Sequence, residues 1–561
     1  MEKICVHCRQ PFTIDAKDTS LLDRVSPMVA GRTFPIPPPT HCPDCRQQRR
    51  LVWRNERNLY RRTCDFSGKS IISMYPPDAP FKVYDQEIWW SDKWDARSYG
   101  RDFDFSRPFF DQFRELQLAV PRNALVNKQS ENSAFTNHSG KNKNCYWSAI
   151  TFESEDIYYS DWIVEHCRDC VDCSYLLEGC ELCYETYYAW GSYRAFFCEF
   201  IRRCEEVWFC FDCSGCKNCF LSCNLRNKQY CIQNEQLTPE EYRKRMAEIL
   251  PLSHSLLRKL REEYCIMKER RAMHPAIFQL QSEGCSGDLL FTSKDCENCF
   301  DSIGMRDCRH CFDGIDAKDS LDVYHVGWAE LMYECHAISH AFQCIACHFT
   351  YDCKNCLYSD CTQNSHDLFG CCGINQGSFC ILNKQYSKEE YEALVPKIID
   401  HMNRTGEYGE FFPMAFSPFG YNQSRALEYF PITKEQAQEE KIPWSNYEPP
   451  QPETGMIIDA GNLPERITEI TDEILHSAIR CEVTGKPFRI IRQELDFYRR
   501  NGLPLPRRCP DRRYIDRFTM RKPKRLWKRN CTKCGKNIEA AFAPERPEKI
   551  YCKTCYLTEV Y

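Results

Sequence analysis

Eight cysteines in four C-x-x-C pairs carry the clearest chemistry in this sequence. Cys5-Val-His-Cys8 is followed, past a proline-rich stretch (Pro35, Pro37, Pro38, Pro39), by Cys42-Pro-Asp-Cys45. Near the other end, Cys531-Thr-Lys-Cys534 is followed by Cys552-Lys-Thr-Cys555. Each pair makes a tight turn that points two thiolates at one centre, and four sulfurs satisfy tetrahedral Zn²⁺ without an open position. The spacing predicts two Zn²⁺ per chain. The 33 residues between Cys8 and Cys42 exceed the usual gap, so a loop should emerge there.

Self-comparison shows that these pairs belong to a larger duplication. At a shift of 467, residues 42–88 lie on 509–555 without a gap: Cys42 on Cys509, Cys64 on Cys531, Gly68-Lys69 on Gly535-Lys536, Tyr84 on Tyr551. At a shift of 476, Cys5 falls on Cys481 and Pro11-Phe12 on Pro487-Phe488. Each end therefore carries two ribbons in series. The second has Ser67, Asp85 and Ile88 where the fourth has cysteines, and the third has Thr484 and Arg512. One or two thiolates cannot close a tetrahedral site, so the second and third ribbons should be metal-free remnants held by apolar contacts.

The run C-x-x-C-x-x-x-F, an apolar-acidic segment and C-P-x-C-R resembles the small bacterial "probable zinc-ribbon" domain. The whole chain, with paired ribbons around a cysteine-rich middle, resembles uncharacterised proteins of small-genome candidate-phylum bacteria, some labelled CaiB/BaiF (CoA-transferase). The resemblance implies metal binding. The transferase label does not fit, because that fold needs strands and helices in βαβ order.

Basic segments connect the ribbons. Arg46, Arg50, Arg54, Arg57 and Arg61 follow helical spacing, and Arg513, Arg517, Arg521, Lys524 and Lys528 repeat the stripe, with Pro523 set to kink or break the second helix. Residues 46–62 carry a local +6 and residues 507–536 a local +11, which leaves −22 on the rest of a chain whose net charge is −5. Interleaved with Trp53, Tyr60 and Trp527, the stripes read as a polyanion surface, because arginine holds phosphate and stacks on bases. The competing reading is a helix face that pairs with the acidic middle of the same chain.

The middle repeats about every 12 residues as Asp/Asn-Cys-x-x-Cys-aromatic-x-small. Anchors fall at 145, 157, 170, 183, 195, 207 and 219, then at 299, 311, 323, 335, 347 and 356. The next residues form a ladder from Tyr146, Tyr158 and Val171 through Trp208 and Phe220, and from Phe300 through His336, His348 and Leu357. Fixed large and small slots at a fixed period are what stacked rungs require. The fold class expected is mainly β: two β-solenoid blocks with helical inserts and caps, flanked by tandem zinc ribbons joined by basic helices. Tyr230-Cys231-Ile232 matches Phe379-Cys380-Ile381 at a shift of 149, and capping boxes follow at Thr238-Pro-Glu-Glu241 and Ser387-Lys-Glu-Glu390.

The domains expected are a ribbon module at 1–90, an aromatic cap at 91–140, blocks at 141–236 and 285–386, and a helical insert at 237–284. A capping helix at 387–405, an extended linker at 406–470 (Phe411-Phe412-Pro413, Pro449-Pro450, Pro452) and a ribbon module at 471–561 complete the chain. The aromatics of 89–113 should seal the first rung of the first block.

The central cysteines have metal-like spacing, yet Ala195, Val207 and Val323 replace some anchors. A ligand position would not accept valine, whereas a narrow core slot would, so these thiols are expected to fill space. The quartet Cys210, Cys213, Cys216, Cys219 is the strongest candidate for an exception, as a cluster site. His336 and His348 should stack as substitutes for Phe or Tyr. There is no nucleophile elbow, phosphate loop, H-E-x-x-H or Rossmann glycine pattern.

A chain of 561 residues with 43% hydrophobic and 27% charged content fits a multidomain globular protein. It has no apolar run long enough to span a membrane. With no apolar leader before Cys5, its 40 cysteines read as reduced thiols of a cytoplasmic protein. The expected function is non-enzymatic zinc-stabilised binding of nucleic acid, RNA or DNA. A protein-interaction scaffold is the alternative, and a redox or metal-cluster enzyme the third reading.

Overall fold

A computed structural model of the chain describes residues 1–448, 450 and 455–561. The chain forms two compact units that cut across sequence order: residues 1–125 with 277–447, and residues 126–276 with 448–561. The amino-terminal ribbons thus fold with the second repeat block, and the carboxy-terminal ribbons with the first.

Both blocks are built from short parallel strands in small sheets. In the first, Glu205 pairs with Lys217 and Lys217 with Gln229, while Trp208 pairs with Phe220 and Phe220 with Ile232. Two further positions in each repeat pair at the same offset, Glu199 with Phe211 and Arg202 with Ser214. The second block keeps the register, with Tyr324 on His336 and His336 on His348.

A finer period lies within the 12-residue one. Every third residue takes a left-handed conformation, without a break from Phe135 to Trp162 and from Asp295 to Leu382. Aspartate and asparagine tolerate that conformation best among non-glycine residues, which explains the Asp/Asn before so many anchors. Within these two stretches the residue after each left-handed position is buried. In the first block such residues, including Cys145, Ile157, Cys170, Ala195, Val207 and Cys219, form one cluster with no aromatic member. The aromatic ladder belongs to a second cluster, where Tyr184, Phe196 and Trp208 meet Leu257 and Tyr264 of the helical insert and Tyr498 of the third ribbon.

This three-residue side corrects one expected anchor. Ile345 pairs with Leu357 and His348 with Asp360, so Cys356 lies one side away and Ser359 follows Cys347.

Helices follow the last paired strands of each block. Pro239–Ile249 and Lys388–Thr405 both begin with a complete capping box. Tyr242 and Tyr391 lie 5.8 Å from Tyr230 and Phe379. The aromatic segment is placed differently from expectation. Phe109 packs on Tyr358 and Phe369, and Asn383 donates to the Ala96 carbonyl, so it seals the end of the second block. Long-range pairing, not sequence proximity, decides that placement. The expected linker carries short helices at Ala426–Tyr429 and Lys434–Glu439 and buries Phe411, Phe412 and Tyr421. Pro449 and Pro452 lie outside the described residues.

All four ribbons keep an antiparallel hairpin: Glu2–Ile4 with Pro11–Thr13, Tyr60–Thr63 with Ser70–Ser73, Ala478–Arg480 with Pro487–Phe488, and Trp527–Asn530 with Asn537–Ala540.

Candidate metal centres

In each ribbon the first cysteine follows directly on the first hairpin strand, and its sulfur accepts main-chain N–H bonds. Cys5 accepts from Cys42, Cys64 from Ser67 and Asp85, Cys481 from Thr484, and Cys531 from Cys552. The knuckle fold therefore survives even where ligands are lost. Only the complete sets close. Among the described residues, two groups bring the ligand atoms of three or more metal-binding side chains within 4.8 Å of one another: Cys5, Cys8, Cys42, Cys45 and Cys531, Cys534, Cys552, Cys555.

The sulfur spacing fits a tetrahedral ion. Zn–S bonds of about 2.3 Å place sulfurs roughly 3.8 Å apart. Cys8 and Cys42 are 3.7 Å apart, and Cys534 and Cys552 are 3.9 Å apart. Each group can hold a metal ion, compatible with two zinc per chain. Burial opposes ionisation of Cys531, but N–H groups of Cys534 and Cys552 bring its thiol down to about 6.

The two centres differ in cover. Cys5, Cys42 and Cys45 are buried, whereas Cys534 is exposed and Cys552 and Cys555 are half-buried. The His7 ring sits with Nδ1 3.4 Å from the Cys45 sulfur and Nε2 3.0 Å from the Glu440 carboxylate. A ring held this way orients the ligand it touches. Lys533 stands in its place at the other centre and pairs with Glu559. The sequence reading passed over His7, although its place inside the first C-x-x-C pair was visible.

The central cysteines form no such group among the described residues. Cys210, Cys213, Cys216 and Cys219 are successive buried positions on three-residue sides, which accounts for their spacing. Their thiols point at carbonyls two residues back, those of Trp208, Phe211, Ser214 and Lys217, at 3.4–3.5 Å. Burial pushes the Cys210 thiol well above its ordinary range. His336 and His348 are neighbours in the ladder, 5.2 Å between ring centres, but their planes are tilted by 55° rather than stacked, and His348 Nδ1 lies 2.8 Å from Asp360.

The basic stripes are largely not surface. The first helix spans Pro43–Leu51 and ends there, so Arg54 and Arg57 lie in the irregular connection beyond it and Arg61 on a hairpin strand. Arg46 Nε reaches Asp322 at 2.7 Å, and Arg50 reaches Asp322 at 3.4 Å and Glu334 at 2.5 Å. Arg54 bonds Glu56 at 2.9 Å. The duplicate helix, Pro510–Phe518, does the same: Arg513 reaches Asp172 at 2.5 Å and Glu494 at 3.1 Å, and Arg517 reaches Asp172 at 2.7 Å. Arg521 pairs with Asp161. These six residues are therefore corrected from polyanion contacts to internal clamps. Their acceptors were missed by sequence, although the −22 left on the remainder was the signal. Arg57 and Lys524 are half-buried; Arg61 and Lys528 are exposed.

No family model matches the chain, and no curated protein matches it in sequence.

Proposed function

We propose that the chain is a non-enzymatic, zinc-stabilised binding protein whose last ribbon takes nucleic acid, RNA or DNA. The parallel 12-residue register and the separate cysteine-filled core support reading the two blocks as β-solenoids that serve as stiff supports. The paired sulfur groups support one zinc in the first ribbon and one in the fourth. Buried cysteines that form no disulfides inside the blocks suit a reducing compartment, and the cytoplasm is the proposed location. No helix is long and apolar enough to cross a membrane.

The observation that carries the binding proposal is charge left at the surface after the clamps are formed. Residues 522–561 hold ten Lys or Arg against four Glu. Arg525, Lys528, Lys536, Lys549 and Lys553 are exposed, and Arg525 lies over the half-buried Trp527. Cations beside an aromatic ring suit phosphate and base together. Titration with labelled single-stranded RNA and DNA should give binding that weakens steeply with salt. Arg525→Glu/Lys528→Glu/Lys536→Glu should weaken it at least tenfold; unchanged affinity and salt slope would reject the proposal. A protein-interaction scaffold is the second reading, favoured by the clamping of both basic helices onto acidic rungs, and a single protein recovered with a nucleic-acid-free sample supports it.

A further inference from the structure

The unit made of residues 126–276 and 448–561 contains a cavity of about 730 Å³, a size typical of small-molecule sites. It lies between the aromatic ladder of the first block, the helix His254–Ile266 and the segment from Pro504 to Met520. We propose that it binds an aromatic organic anion of nucleotide size.

Two features of the wall define that ligand. The first is a flat surface of mixed character. Phe197 stacks on Phe209 with ring centres 4.6 Å apart, and the Arg261 guanidinium lies over Phe197 at 5.4 Å. Tyr264 closes the apolar side from the helix. A guanidinium laid on an aromatic ring offers a planar ligand both dispersion and positive charge.

The second feature is a surplus of hydrogen-bond donors. Glu185 is engaged by Arg261 at 2.6 Å, and Glu482 and Asp516 by Arg508 at 2.9 and 2.7 Å. Lys268 holds Glu199. Each guanidinium has five N–H groups, and these pairings use only part of them. Arg507 spends one nitrogen on Glu465 and the Leu463 carbonyl, and Arg258 has no ion-pair partner among the described residues. Glu262 is the one wall carboxylate in the same condition. The ligand must bring acceptors, and a phosphate on a planar base brings both requirements at once.

This proposal is independent of nucleic-acid binding by the last ribbon. Free nucleotide and the phosphorylated end of a strand present the same chemistry, so calorimetry should use AMP, GMP, a 5′-phosphorylated pentanucleotide and inorganic phosphate on the full zinc-loaded chain. Cys265, exposed at the cavity edge, supplies a second readout through its rate of alkylation by N-ethylmaleimide. One nucleotide or one strand end should bind per chain, at least tenfold more tightly than phosphate, and slow Cys265 labelling several-fold. Preference for the pentanucleotide would identify a strand end, and preference for mononucleotides a free metabolite. Arg258→Glu, at an exposed position, should weaken binding at least tenfold, and Met520→Trp should fill the space and abolish it. The ribbon variant Lys528→Glu should leave it intact. Absence of binding by every nucleotide probe, or equal binding by the Arg258→Glu and Met520→Trp variants, overturns the proposal.

Discussion

Arg517 holds the Asp172 carboxylate at 2.7 Å with both side chains shut off from solvent. Its duplicate 467 residues earlier, Arg50, holds Asp322 in the other unit. Both aspartates occupy left-handed positions, at φ of 54° and 57°, so the feature that turns the rung also presents the acid. In each unit two arginines converge on that one carboxylate, Arg513 with Arg517 and Arg46 with Arg50.

Removing either aspartate should strand one buried cation, Arg517 or Arg46, and take one of two acids from its neighbour, Arg513 or Arg50. A buried pair broken from one side costs about 3–5 kcal/mol. Asp172→Ala should therefore destabilise the unit holding the first block, and Asp322→Ala the unit holding the second. Denaturant melts that resolve the two units check this; a loss below about 1 kcal/mol would mean the clamps are marginal.

Metal should leave the two ribbons at different rates. Cys534 is exposed and Cys552 and Cys555 half-buried, whereas three of the four amino-terminal thiols are buried. A chelator with a colorimetric zinc readout should release one equivalent quickly and one slowly. Cys555→Ser should remove the fast phase and Cys45→Ser the slow one.

The central cysteine positions should accept small apolar residues and refuse large ones. Val207 sits one rung from Cys219 in the same row. Cys219→Val should cost less than about 1.5 kcal/mol, while Cys219→Phe should cost about 1–3 kcal/mol or more through overpacking. Metal analysis of the wild-type protein should show zinc and no iron; iron near stoichiometric would return the quartet at Cys210–Cys219 to the role of a cluster site.

Acid should weaken the fold from about pH 6.5 downward through its buried histidines. Burial holds the His274 imidazole down at about 4, and that of His325 at about 3. Below the ordinary histidine value the unfolded chain takes up protons that the folded chain refuses, so stability falls as pH drops from about 6.5 towards 4. Each such histidine removes about 1.4 kcal/mol per pH unit across its window. His274→Phe, which keeps a ring between Phe211 and Phe542, should flatten the pH dependence of that unit's melting temperature. An unchanged slope would show that His274 is not the group responsible.

The repeat was legible because its anchors recur at a constant distance and valine replaces cysteine among them. The three-residue side was not, since it depends on left-handed backbone at residues such as Trp147, Ile150 and Tyr159, which ordinarily avoid it. That missing period is why Cys356 was placed one side out. The basic stripes misled for a different reason. Their spacing is helical, but Arg61 precedes Cys64 as Lys528 precedes Cys531, and in each ribbon that stretch is the first hairpin strand. The duplication already contained the correction. Which acid each arginine meets is a contact across 276 residues for Arg46 and 345 for Arg517, and no local pattern encodes it.

The crossed composition of the two units imposes an order on synthesis. Asp322 leaves the ribosome some 272 residues after Arg50, a delay of about 15–50 s at bacterial-like elongation rates of roughly 5–20 residues per second. Throughout that interval the nascent amino-terminal half exposes an arginine-rich helix whose acceptors have not been made, and a metal ion taken up by Cys5, Cys8, Cys42 and Cys45 would tie down the start of that helix until translation supplies its counterpart.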